Sequence, residues 1–306
     1  EAQAVAWGEA AVAALIDSPE LRPQAEAWHA HLSAYLQAAG GMMGDQATAV
    51  DLPAPRAVKP FTPDFFPRRD ARFVKQHNFM FPPHEVSRME GVSVEEKTLA
   101  LMCKRTLEMD VPEVMARMIA ESSEKDWQYY VDMARQLWDE ARHAMMGAVY
   151  FEQHGVDWRG EIALHTGFGL RLNLHMTPLE AHAVLYTIEQ SLMPAKTGKR
   201  YEWETATQAG DDLARLFQDY DWADEVLHAQ IGRAWLIPAL GISREAVIAL
   251  GQAKAIESEQ FISQYAGGEP QVNWWPEFVR RVLHHESTAA HLLINTDPVY
   301  RNASSG

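Results

Sequence analysis

Apolar and polar positions follow a helical period through most of this chain, and no Val/Ile/Thr-rich run alternates with the period of two that a half-buried strand needs. The first forty residues, rich in Ala, Leu and Glu, read as two short helices with Pro23 between them, ended by "AGGMMGD" at Ala39 to Asp45. From Asp51 to Pro83 the period lapses. Seven prolines interleave there with phenylalanines, a composition suited to an extended segment pinned to a surface by its aromatics. From Ser93 helix formers dominate almost to His285, so the fold class is all-α.

Four long helices are predicted in the middle. The first starts with "SVEE" at Ser93 as a capping box and runs through Glu108 towards Ser122. The second spans Asp126 to His154, ended by "HGVD". The third begins at Thr177, with Pro178 in its first turn, and reaches Lys199. The fourth runs from near Thr205 to Pro238, which cannot continue it. Ser243 to Tyr265 and Trp275 to Ala290 read as further helices. Three regions follow: an N-terminal helical and Pro-rich extension over 1–92, a four-helix region over 93–238, and a C-terminal helical extension over 239–306. Core candidates are Met133, Leu137, Met145, Met146, Leu216 and Leu236.

Charge and composition narrow the function. The formal net charge of −15 repels phosphate backbones and anionic lipid heads, arguing against nucleic acid or a membrane surface as the main partner. No stretch approaches the roughly 20 apolar residues of a membrane span, and the N-terminus lacks the basic start of a signal peptide, so a cytoplasmic location is the expectation. Cys103 is the only cysteine, which leaves no intrachain disulfide and no thiolate cluster. Any bound metal would take nitrogen and oxygen ligands.

One motif occurs twice. "DEARHAMMG", Asp139 to Gly147, returns as "DEVLHAQIG", Asp224 to Gly232, matching at five of nine positions and followed by an aromatic, Tyr150 or Trp235, three residues after the glycine. Residues three apart share a helix face, so each copy presents a carboxylate beside an imidazole: Glu140 with His143, and Glu225 with His228. A lone Glu-x-x-His is weak, and "EAWH" at Glu26 to His29 is a chance occurrence among 13 histidines. The duplication extends upstream, where "TLEMDVPE" (Thr106 to Glu113) parallels "TIEQSLMP" (Thr187 to Pro194). Glu108 precedes Glu140 by 32 residues and Glu189 precedes Glu225 by 36, spacings that let a helical hairpin return to the same level. Two such hairpins would bring four carboxylates and two histidines together.

These residues resemble the ferritin-like superfamily of carboxylate-bridged di-iron and di-manganese proteins, which take one Glu from each of two helices and Glu-x-x-His from each of the other two. "DEARH" is similar to the motif of bacterial multicomponent monooxygenases, and Glu108 to Gly232 resembles a bacterial ferritin-like branch of unknown function. The resemblance implies an antiparallel four-helix bundle with terminal extensions and two Fe ions, two Mn ions or a mixed pair. Glu140 and Glu225 would bridge, Glu108 and Glu189 would be terminal ligands, and His143 and His228 would each bind one ion. Asp139 would accept from His228 and Asp224 from His143, fixing the imidazole orientation. Four carboxylates balance two divalent ions, so a loaded site would be near neutral. The second copy departs from the pattern with Leu227 where the first has Arg142.

Further readings attach to the same helices. Gly147 and Gly232, one turn past each His, suggest close helix approach or room for a small molecule. Pro112 and Pro194 would break a helix just past a ligand Glu. Tyr186, three before Glu189, is a candidate catalytic phenol or a core tyrosine, and His182 a further ligand or an ordinary helix histidine. The expected activity is O2-dependent oxidation of a small organic substrate. Electrons would come from an external donor, since no flavin or nicotinamide fingerprint is present. The alternatives are a ferroxidase or metal-handling protein, and a non-catalytic bundle. "NWWPEF", Asn273 to Phe278, could line a pocket or form a homodimer contact.

Overall fold

The computed structural model describes residues 2–16, 18–49, 51, 54, 59, 62–73, 78–123, 125–164, 166–265 and 271–289. The regular secondary structure among these residues is helical, with no strand, as the hydrophobic period predicts. The chain divides into two compact units, Glu1–Asp64 and Phe65–Gly306.

The first unit holds α1 (Ala2–Leu15) and α2 (Leu21–Ala38). The break between them falls at residues 16–20 and not at Pro23. Pro23 sits in the first turn of α2, where its missing N–H would have had no helical partner in any case. Gly40 and Gly41 take positive φ and end α2. Glu26 and His29 are both exposed, in keeping with a chance motif.

The second unit contains α3 (Pro83–Val86), α4 (Val94–Leu107), α5 (Asp110–Glu121), α6 (Trp127–Gln153), α7 (Trp158–Glu161), α8 (Gly167–His175), α9 (Pro178–Ser191), α10 (Lys199–Gln208), α11 (Asp212–Leu240), α12 (Arg244–Glu259) and α13 (Trp275–Leu283). The extended stretch at its start is pinned by aromatics. Phe73 meets Trp158 edge-on at 5.7 Å, Phe81 meets Trp274 at 5.8 Å, and the Arg117 guanidinium lies over Phe65.

Two of the four expected helices are broken, each just past its Glu. The single helix predicted from Ser93 to Ser122 is α4 and α5, with Glu108 as the C-terminal cap of α4. Pro112 has no N–H to give the Glu108 carbonyl, four residues back, and its ring crowds that carbonyl. The Val111 N–H takes the bond instead, at 3.2 Å. The helix predicted to reach Lys199 likewise stops at Ser191. Its chain closes a turn in which Gly198 N–H donates to the Pro194 carbonyl at 2.8 Å and Lys199 N–H to Leu192 at 2.9 Å. A side chain at 198 would strike the Leu192 carbonyl, so the turn requires glycine. The fourth helix starts at Asp212, not Thr205, and carries Pro238 inside its last turn, ending at Gly241 with φ 65°.

The packing repeats as the sequence does. In the first half α4 packs on α6, and α5 packs on α6 and α9; in the second half α9 packs on α11, and α10 packs on α11 and α4. The contact of α6 with α11 joins the halves, and α12 covers α9. Two apolar clusters fill this arrangement. One gathers Leu99, Met102, Phe151, Ala214 and Trp275; the other gathers Met115, Met133, Leu185 and Ile231. On α6 the second cluster ends at Leu137 and the first begins at Ala148, and on α11 the first ends at Phe217 and the second begins at Leu227. The first motif lies in this gap, and the second overlaps it at Asp224 to Val226. Met133, Met146 and Leu236 are buried as expected, but Met145 and Leu216 are exposed, because each stands on the outer face of its helix.

The expected capping box at Ser93 is half formed. Ser93 accepts from the Glu96 N–H at 3.2 Å, but the Glu96 carboxylate turns to Trp275 Nε1 at 2.8 Å and to Ser287 and the Thr288 N–H, tying the C-terminal segment to α4. The full capping box is at Thr177 and Glu180. The helical glycines mark close approach. A Cβ at Gly147 would come within 2.9 Å of the Thr106 backbone nitrogen, and one at Gly232 within 2.4 Å of the Tyr186 ring. Gly147→Ala should therefore lower unfolding free energy by about 1–3 kcal/mol through overpacking of α6 on α4. Denaturant unfolding checks this, and an unchanged midpoint would contradict it.

Candidate metal centre

All six expected ligands converge. Glu108 lies at the break after α4, Glu140 and His143 on α6, Glu189 near the end of α9, and Glu225 and His228 on α11. They form two groups in which one ligand atom per residue lies within 4.8 Å of all the others: Glu108, His143, Asp221 and Glu225, and Glu140, Glu189, Glu225 and His228. Glu225 belongs to both groups. Glu140 spans them in another way, with Oε2 3.6 Å from His143 Nδ1 and Oε1 3.1 Å from His228 Nδ1. All are nearly fully buried except the Glu108 side chain, which keeps 19% of its surface exposed.

The imidazoles are oriented from behind. His143 Nε2 lies 3.1 Å from Asp224 Oδ2, and His228 Nε2 lies 3.5 Å from Asp139 Oδ2, the crosswise pairing expected from the motif. Each ring thus turns Nδ1 towards the carboxylates. Both aspartates are tied to one arginine: Arg142 donates to Asp139 at 2.9 Å and to Asp224 at 2.5 Å. One guanidinium serves the two copies, so the second motif has no need of its own, and Leu227 packs into the apolar cluster beside α5. Arg135 adds a second cation on Asp139, at 2.8 Å.

Sequence reasoning missed the charged residues around the first group. Asp221, four before Glu225 and so on its face, is fully buried. Lys199, the first residue of α10, places Nζ 2.7 Å from Asp221 and 3.0 Å from Glu225. Arg105 pairs with Glu108 at 2.9 Å and with Asp221, and reaches Glu202 at 3.5 Å. Lys104 completes the set on Glu202 at 2.8 Å. Asp221 and Arg105 sit one turn from motif residues and were legible in principle. Lys199 arrives through the Gly198 turn and carried no local signal.

Protonation follows from burial against these partners. Burial pushes Glu189 well up, helped by the neighbouring charges of Glu225 and Glu140, and pushes Glu108 up despite Arg105. Burial acts the same way on Glu140 and Glu225 but is overcome. The His143 and His228 imidazoles beside it bring Glu140 to about 2, and the Lys199 ammonium with Glu189 and His228 holds Glu225 well below the carboxylate range. Both histidines are raised in spite of burial: His143 by Asp221, Asp224, Glu108 and Glu140, and His228 by Asp139, Glu140 and Glu225.

The two groups could hold a metal ion. Glu108 Oε2, Glu189 Oε2, Glu225 Oε2 and both histidine Nδ1 atoms are buried without a hydrogen-bond partner, which is costly unless something else satisfies them. Tyr186 is buried with its ring on Gly232 and its hydroxyl unbonded. His182 is buried, brought down to about 4 by desolvation, and joins neither group. Among the described residues no single helix is long and apolar enough to cross a membrane. No family model matches the chain, and no curated protein or solved structure matches it either.

Two predictions follow from this geometry. Asp139→Ala or Asp224→Ala should weaken metal affinity about 10–100-fold by freeing an imidazole, measured by competition with a chelating dye; unchanged affinity would show that these contacts do not orient the rings. The second concerns chelator-treated protein. His143, His228, Glu108 and Glu189 bind protons more tightly folded than unfolded, so their contribution is lost as pH rises. Glu140 and Glu225 bind them less tightly, so theirs is lost as pH falls below the ordinary 4.5. The thermal midpoint should peak between pH 4.5 and 6.5 and decline above it. A midpoint rising steadily from pH 6.5 to 9 would contradict this electrostatic account.

Proposed function

We propose that this protein is an O2-dependent oxidoreductase that uses a carboxylate-bridged dinuclear iron or manganese site of the ferritin-like kind on a small organic substrate. One observation carries the reading: six residues of a duplicated motif meet in the interior, with both histidine Nδ1 atoms and three carboxylate oxygens turned inward and unsatisfied. Glu108, His143 and Asp221 would hold one ion, Glu189 and His228 the other, with Glu140 and Glu225 shared.

Bound there, the pair of redox-active ions would supply reductive activation of dioxygen, with electrons from an external donor and from the substrate, for hydroxylation, desaturation or N-oxygenation. The chain's own part is to shape and insulate that chemistry. Asp139 and Asp224 stand behind the Nε2 atoms and leave each Nδ1 turned towards the carboxylates. The flanking apolar clusters limit water. Glu108, the one ligand with substantial exposure, marks the side from which ions and small molecules enter. Cys103 is buried with its thiol pushed well up, so the described residues offer no thiolate as an internal reductant.

Protein loaded anaerobically with iron(II) should carry about two ions per chain and, with a suitable substrate and reductant, consume oxygen. The double variant His143→Ala/His228→Ala should lose both. Iron accumulating far beyond two ions per chain would favour metal storage instead, and absence of bound iron or manganese in the wild type would defeat the oxidoreductase reading.

A further inference from the structure

The two halves of the site are not equivalent, although the motif that builds them is duplicated. Four residues before the motif glutamate stands Gln136 in one copy and Asp221 in the other. Three residues before the terminal glutamate stands Tyr186 in one copy and Arg105 in the other. The half around Glu189 is therefore neutral at both places, with Gln136 Nε2 3.4 Å from Glu189 Oε1. The half around Glu108 is charged at both, and Lys199 is added from α10 with no counterpart across the pseudo-symmetry.

The consequence for a cation is direct. In the group Glu108, His143, Asp221 and Glu225, every carboxylate is already paired with a buried cation: Glu108 with Arg105, Asp221 with Arg105 and Lys199, and Glu225 with Lys199 at 3.0 Å. In the group Glu140, Glu189, Glu225 and His228, only Glu225 is so paired. Lys199 is almost wholly buried against Asp221 and Glu225, so its ammonium competes with an ion for the position at Glu108, His143, Asp221 and Glu225. Like charges a few ångströms apart in a desolvated interior repel by more than the difference between tight and weak binding.

We propose that the two ions bind in a set order and with unequal affinity: the first at Glu140, Glu189, Glu225 and His228, the second at Glu108, His143, Asp221 and Glu225 only as Lys199 withdraws from Asp221 and Glu225. Lys199 is in this sense a positioning residue, a built-in cation that holds the second position until an ion displaces it. The inference rests on the dinuclear reading and adds to it a loading order that the duplicated motif does not contain.

Manganese(II) alone, added stepwise to chelator-treated protein and followed by binding calorimetry and electron paramagnetic resonance, tests it without any assay of activity. The wild type should take up the first equivalent with an uncoupled spectrum and the second at least about tenfold more weakly, with a spin-coupled spectrum appearing only then. In Lys199→Met the second ion should tighten about tenfold or more while the first changes little. Lys199→Gln serves as a second neutral variant should the methionine form fail to fold, and Lys199→Arg should keep the weak second step. Two ions of equal affinity in the wild type, or a second step unmoved by removing the charge, would overturn the loading order while leaving a dinuclear site standing. No bound manganese in any form would overturn both.

Discussion

Burying carboxylates is what this structure must solve. Five of them, Glu108, Glu140, Glu189, Asp221 and Glu225, share one interior with two imidazoles, where isolated charge is expensive and like charges repel. The chain answers in layers. Arg105 and Lys199 neutralise one end from within, His143 and His228 bridge the middle, and Arg135 and Arg142 hold the outer aspartates that turn the imidazoles. Among the groups left without a hydrogen-bond partner are one oxygen each of Glu108, Glu189 and Glu225 and the two Nδ1 atoms. The rest of the second unit, including its helix breaks and glycine contacts, sets these groups at one level.

The breaks are as informative as the helices. A continuous α4–α5 would carry Glu108 on a regular helix face; the proline at 112 instead leaves the Glu108 carbonyl to the Val111 N–H and Glu108 at a cap, its side chain partly open to solvent. The equivalent break after Glu189 turns the chain through Gly198 and delivers Lys199 to the interior. One duplicated device thus yields two different ends, a partly exposed carboxylate at Glu108 and an internal cation at Lys199.

Much of this was legible before any coordinates. The helical period gave the all-α class, and the spacing of Glu108, Glu140, Glu189 and Glu225 placed four carboxylates at one level, because hairpin return lengths are fixed by helix rise. The crosswise aspartates were implied by the ferritin-like resemblance, and the structure places them beside His143 and His228. What sequence could not supply was tertiary. The helix break at Glu108 depends on which carbonyl a proline deprives, and the fourth helix absorbs Pro238 because only its last turn is affected. Met145 and Met146 look alike in sequence, yet one is exposed and the other buried, since adjacent helix residues point about 100° apart. Lys199 meets Asp221 only through the packing of α10 on α11, a contact that no local pattern encodes.

The most direct test of the central claim is anomalous X-ray diffraction from crystals of protein loaded with iron or manganese, collected on both sides of the metal absorption edge. The account predicts two anomalous peaks about 3.5–4 Å apart, enclosed by Glu108, Glu140, His143, Glu189, Asp221, Glu225 and His228, with each histidine bound through Nδ1. Peaks only at the surface, or a metal-soaked interior with no anomalous density among these residues, would contradict it.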